Sequence, residues 1–168
     1  MRTYIKIATF NVRNLIQPGV RYYGSNRYSE GAYDRKLGWL AEQLLRMDAD
    51  IVGLQEVFDE ASVQDLMARY HELLAERVSA NQVRKRRFAD VWYLPNVDAT
   101  ADNPLPGLAM FSRTPILEKA SQQDLTDDPI EIDPSMGLAY RLDKLSRPQM
   151  AARVELGQGV QGLSLIHI

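Results

Sequence analysis

Residues 50 to 57 read Asp-Ile-Val-Gly-Leu-Gln-Glu-Val, an apolar run that finishes on a carboxylate. Ile51, Val52 and Leu54 offer little polar relief, which is the pattern of a strand covered on both faces. Glu56 closes that strand. A carboxylate at the margin of a core must be hydrogen-bonded, paired or metal-bound, because burying it alone costs more than the strand gains.

The partner is expected near the N-terminus, where Tyr4 to Phe10 alternates apolar and polar residues and ends in Asn11. Between the two runs, Leu37, Leu40, Leu44 and Leu45 recur at helical spacing. The order strand, long loop, helix, strand is a βαβ unit, whose strands lie parallel and open their C-terminal ends onto one edge of the sheet. Asn11 and Glu56 should therefore meet there. If the strands are direct neighbours, roughly 4.8 Å apart, an amide oxygen and a carboxylate can converge on one hard cation. Oxygen ligands without nearby Cys or His favour Mg²⁺ or Mn²⁺ over zinc. The plainer alternatives are a solvated loop start or helix cap at Gln55-Glu56 and a turn-forming role for Asn11.

Four segments in order resemble the endonuclease/exonuclease/phosphatase superfamily of metal-dependent phosphoesterases. They are Thr9 to Leu15 (TFNVRNL), Asp50 to Val57 (DIVGLQEV), Gly107 to Ile116 (GLAMFSRTPI) and Ser146 to Val154 (SRPQMAARV). The resemblance implies an α/β four-layer α/β/β/α sandwich, of which residues 1–162 supply the N-terminal half. It implies that Asn11 and Glu56 serve the catalytic metal. Arg147 looks like the arginine that some nuclease members, such as the pancreatic deoxyribonuclease, direct at substrate phosphate, and a planar guanidinium suits that task. The implied reaction is Mg²⁺- or Mn²⁺-dependent hydrolysis of a phosphoester, DNA or RNA being the first expectation. Phosphatase and sphingomyelinase types share these front-half motifs, and a non-catalytic binding module on the same scaffold is a further alternative. Later family segments bearing a His, an Asp-x-Asn and a terminal Asp-His pair are not matched, so the fragment is expected to be inactive by itself. The last six residues, Leu163 to Ile168, match a translated sequencing-transposon end and are expected to be non-native.

The chain has 168 residues, 45% hydrophobic and 25% charged, enough for one core and short for two. Its net charge of −2 excludes global attraction to nucleic acid, so phosphate binding must be local. With no cysteine, disulfides and thiol catalysis are excluded. No apolar stretch suits a signal peptide or membrane span, and a cytoplasmic monomer is the default expectation.

The segment Val12 to Tyr33 reads as a long loop in which Tyr22, Tyr23 and Tyr28 alternate with Arg21 and Arg27. Packing of these tyrosines onto the domain is the plainer reading, base stacking the sharper one. A helix is expected from Asp34 to before Asp48, and a second over Asp59 to Val78 with a Ser62/Asp65 capping box. His71, beside that helix's apolar stripe, reads as a packing or surface residue. Arg84 to Arg87 reads as a solvated basic run leading directly into a strand from Phe88 to Leu94, with a phosphate contact as the alternative. After a turn-rich stretch from Asn96 to Pro106, Gly107 to Ser112 is a buried strand, with Ile116 to Glu118 expected to pair back on it. The acidic stretch Ser121 to Pro134 matches no EF-hand loop and reads as an exposed connection, Gln149 to Leu156 as a strand, and Gly157 to Gly162 as a hairpin turn.

Overall fold

Two parallel strands joined through a helix set the frame of the molecule. The computed structural model describes residues 4–125, 127, 130–131, 141–155 and 161–166. Strand β1 (Ile7–Leu15) pairs directly and in parallel with β2 (Ile51–Val57), with α1 (Glu30–Met47) between them in the chain. The expected βαβ unit is therefore present. Helix α1 begins earlier than Asp34, because Ser29 caps it by accepting from the Ala32 amide at 3.3 Å. Asp48 ends it in the left-handed region.

Helix α2 (Glu60–Arg77) is capped by Asp59, which accepts from the Ser62 amide at 2.7 Å. Ser62 is thus inside the helix, and the expected Ser62/Asp65 box does not form. Asp65 instead accepts from Gln17 Nε2 at 2.6 Å and from Tyr33 Oη at 2.8 Å, tying the loop after β1 to both helices. The basic run does not lead straight into a strand: Arg84 to Arg86 lie in a short helix, α3 (Ala80–Arg86), before β3 (Asp90–Leu94).

Strand β4 (Gly107–Ser112) pairs antiparallel with both β2 and β3, giving a four-stranded sheet in the order β1-β2-β4-β3. A side chain at Gly107 would collide with the Leu94 carbonyl. The alternation of β2 and β4 feeds two cores. Val52, Leu54, Ala109 and Phe111 face α1 and α2, where Leu40, Leu44, Leu66 and Leu74 are buried. Ile51, Leu108 and Met110 face a second sheet through Met150, Ala152 and Val154.

That second sheet has the order β5-β8-β9, from β5 (Ile116–Asp124), β8 (Lys144–Glu155) and β9 (Gln161–Ile166). Here an expectation is corrected: Ile116 and Glu118 pair with Val154 and Arg153 of β8, and do not fold back on β4. The backbone leaves the first sheet at Pro115 and joins the second. Ser121 to Asp124, expected in an exposed connection, belong to β5. Of that acidic stretch, Asp127 lies in an exposed turn, while Asp128 and Asp133 fall outside the described residues. A two-stranded ribbon joins β6 (Ile130–Glu131) to β7 (Arg141–Leu142). Strand β9 returns antiparallel along β8 and takes in Gln161 and Gly162, expected in the hairpin turn, together with Leu163 to Ile166 of the tail expected to be non-native; Leu156, the rest of the turn and His167 lie outside the described residues.

Helices, first sheet and second sheet make an α/β/β stack. Among the described residues no helix is long and apolar enough to cross a membrane.

Candidate active site

Two backbone irregularities at one sheet edge create the site. Strict alternation after Val52 and Leu54 would send Glu56 into the helix-side core. The ladder breaks there instead: the register shifts between Gln55 and Val57, and Glu56 adopts φ 60. Val57 thereby returns to the core, fully buried, and Glu56 is turned to the rim with its side chain 19% exposed. Bulges next to active sites commonly re-aim a side chain in this way. Strand β1 has a matching defect between Asn11 and Leu15, where Arg13 and Asn14 have φ 51 and 64.

The three residues expected to act together are brought together. Asn11 Nδ2 donates to Glu56 Oε1 at 3.0 Å, and Arg147 Nη1 of β8 lies 3.7 Å from the same oxygen. The site thus sits where the ends of β1 and β2 meet the start of β8, at the seam between the sheets. Asn11 Oδ1 accepts from the Arg13 amide at 2.8 Å, which fixes the amide plane. Beneath them buried Gln55 donates to Thr9 across the two strands. Arg147 is supported from the other side: buried Asn96 donates to the Ser146 carbonyl at 3.1 Å and accepts from Gln123 at 2.8 Å.

Lys36 of α1 was not anticipated. Its ammonium donates to the Arg13 carbonyl at 2.5 Å and to Tyr28 Oη at 2.9 Å. Burial pulls its pKa below lysine's usual range, with the charge on nearby Glu56 among the influences opposing the shift. The signal available in the sequence was its place beside Leu37, on the flank of the leucine stripe.

Tyr22 and Tyr28 pack inward, whereas Tyr23 stays half exposed. Tyr22 stacks on Tyr28 at 5.5 Å, and Tyr22 and Tyr23 contact Phe58 at 5.9 and 5.6 Å. Arg13, Arg21 and Arg27 remain exposed. His71 is elsewhere: it lies against Tyr70 at 5.6 Å, and burial followed by the charge of Arg87 depresses its pKa. The basic run is also elsewhere. Arg86 pairs at 2.9 Å with Asp48, just ahead of β2, whereas Glu56 is near its far end, about 20 Å away at strand rise.

A carboxylate, an amide and a guanidinium are a hard set suited to a divalent cation and a phosphate. Among the described residues no group of three or more His, Cys, Asp or Glu side chains gathers to cage a metal. One carboxylate with substrate oxygens is nevertheless a usual Mg²⁺ arrangement.

The Endonuclease/Exonuclease/phosphatase family model matches residues 8–151, which include the whole of this constellation. The chain belongs to that family. Its members are generally phosphoester hydrolases. Among solved structures, a β-hairpin deletion mutant of beta toxin from Staphylococcus aureus is similar over 98% of this chain and 50% of its own, with 13% identity and a TM-score of 0.51. An endonuclease/exonuclease/phosphatase family protein from Leptotrichia buccalis C-1013-b is similar over 98% and 54%, with 13% identity and a TM-score of 0.49. The chain spans about half the length of either. At that identity the beta-toxin likeness speaks for the fold alone. Among curated proteins, none matches this family member's sequence.

Proposed function

We propose that this chain supplies the front half of the catalytic domain of a divalent-metal-dependent phosphoester hydrolase, most simply a nuclease or phosphodiesterase. The observation that carries the reading is the convergence of Asn11 and Arg147 on one oxygen of Glu56. Mg²⁺ or Mn²⁺, when bound, would polarise the phosphoryl oxygen and stabilise the leaving oxyanion. Glu56 would hold the cation. Asn11, with Oδ1 held by the Arg13 amide and Nδ2 on Glu56, would orient the carboxylate or a phosphate oxygen through Nδ2, or ligate the cation through the second lone pair of Oδ1. Arg147 would counter phosphate charge from the second sheet.

The family admits other phosphoesters. Support for a polynucleotide comes from exposed Arg13, Arg21 and Arg27 and half-exposed Tyr23 on the segment leaving the site, and not from the basic run at the far edge or from Tyr22 and Tyr28, which stack on each other. No general base is assigned among Asn11, Glu56, Arg147 and their neighbours, so the chain alone is expected to hydrolyse nothing measurable.

Titration of Mn²⁺ into the ¹⁵N-labelled chain tests the metal reading. The Asn11 side-chain and Glu56 amide signals should broaden first, and Glu56→Gln should raise the required Mn²⁺ at least about tenfold. Broadening confined to the acidic stretch after Ser121 would sink it. For substrate class, the longer gene product should be assayed with Mg²⁺ on DNA, RNA, inositol phosphates and sphingomyelin.

A further inference from the structure

The geometry points to Lys36 as a positioning residue for the Asn11–Glu56 pair: we propose that it clamps the left-handed turn after Asn11 and couples the tyrosine loop to the site. The functional weight of that role rests on the phosphoester-hydrolase reading; the clamp itself does not.

Arg13 and Asn14 are consecutive non-glycine residues at φ 51 and 64. Each such residue costs about 1–2 kcal/mol, so the conformation persists only where surrounding contacts over-determine it. Lys36 supplies one of those contacts through the Arg13 carbonyl, and Tyr28 Oη reaches the same carbonyl at 3.4 Å. A relay of hydrogen bonds then runs to the site. Lys36 Nζ donates to Arg13 O, Arg13 N donates to Asn11 Oδ1, and Asn11 Nδ2 donates to Glu56 Oε1.

The same ammonium donates to Tyr28 Oη and lies 5.0 Å from that ring's centroid. Tyr28 stacks on Tyr22, which packs on Phe58, two residues past Glu56. The loop is therefore bound to the pair from both strands, with Lys36 at the junction. A half-buried ammonium is a poor choice for mere helix packing, since an apolar residue beside Leu37 would avoid its desolvation.

Charge and position make opposite demands, and that separates them. As a charge alone, Lys36 repels a cation at Glu56, so its removal would tighten metal binding. As a clamp, its removal would loosen it.

The test compares wild type, Lys36→Met and Lys36→Arg by amide hydrogen exchange and Mn²⁺ titration of the labelled chain. Exchange at the Arg13 amide should quicken at least about tenfold in Lys36→Met, with Leu54 and Phe111 within about twofold of wild type and Lys36→Arg restoring most of the protection. The Mn²⁺ needed to broaden Asn11 should rise about tenfold in Lys36→Met. Unchanged Arg13 exchange, or tighter Mn²⁺ binding, overturns the proposal. If Lys36→Met does not fold, Lys36→Arg must still protect Arg13 better than Lys36→Gln, and equality of the two overturns it as well. No broadening at Asn11 in wild type would refute the metal reading, while the exchange data would still decide the clamp.

Discussion

Asn14 shows most directly what the site costs its own backbone. It sits at φ 64, and its buried Oδ1 has no hydrogen-bond partner among the described residues. Asn14→Gly removes both the left-handed penalty and the orphaned acceptor, so it should stabilise the chain by about 0.5–1 kcal/mol. Urea melts that show no gain would mean that Asn14 makes a contact worth as much as its strain. Glu56 carries the same backbone penalty at φ 60 but cannot be relieved without losing the carboxylate. The meeting of Glu56 with Asn11 was legible: a carboxylate ending an apolar strand is anomalous, and a βαβ unit brings the ends of its two strands to one edge. The angles that aim Glu56 were not, because neither Glu56 nor Arg13 is a residue type that announces a left-handed turn. Lys36 was hidden for a similar reason. A lysine flanking a leucine stripe reads as helix surface until its acceptors, the Arg13 carbonyl and Tyr28 Oη, are located.

At the opposite edge of the first sheet, the elements are locked by charge. Arg113, just past β4 and with its side chain only 5% exposed, pairs with Asp48 at 2.9 Å and Asp50 at 3.1 Å. Its Nε donates to the Arg86 carbonyl at 3.1 Å, so one guanidinium joins the end of α1, the start of β2 and the end of α3. Arg113→Met leaves two acidic side chains without that partner and should cost about 3–5 kcal/mol, read as a fall in the denaturation midpoint. A loss below about 1 kcal/mol would mean that Arg86 and Lys6, which also pair with Asp48, carry the junction without it. Arg84, Lys85 and Arg87 are solvated, as expected of the basic run, and this network explains the part that was misread, the helix and the pairing of Arg86. Composition shows four cations ahead of a strand, but a seven-residue helix that turns Arg86 toward Asp48 is a tertiary fact. The pairing of β5 was misread likewise. Pro115 marks a break, but whether the next strand returns to its own sheet or crosses to another is decided by β8, some thirty residues on.

For the whole molecule, stability should fall on acidification in two stages. Burial, then the charge of Arg87, holds His71 below its ordinary pKa near 6.5, so the unfolded chain takes up that proton first. Stability is thus lost as pH falls through 6.5 toward the folded value. Partial burial raises the Asp48 pKa, but Arg113, Arg86 and Lys6 outweigh it and hold the carboxyl below its usual range. That contribution is present above about pH 4 and is lost as pH falls through the folded value. His71→Met should flatten melting temperature between about pH 5 and 7 and leave the lower stage intact; an unchanged profile would place the upper stage elsewhere.

The remaining weakness follows from topology rather than titration. Strand β1 ends the order β1-β2-β4-β3, and beside it Tyr4, Ile7 and Trp39 are 59, 61 and 56% exposed. A long edge strand with apolar side chains is a template for pairing with another chain. Ile7→Lys puts a charge on that edge without removing a buried contact, so it should suppress self-association at near-unchanged melting temperature. Sedimentation or light scattering over a tenfold concentration range decides the point. Equal association in both proteins would move the sticky surface away from β1, leaving the open rim of the second sheet at β9 as the next edge to block.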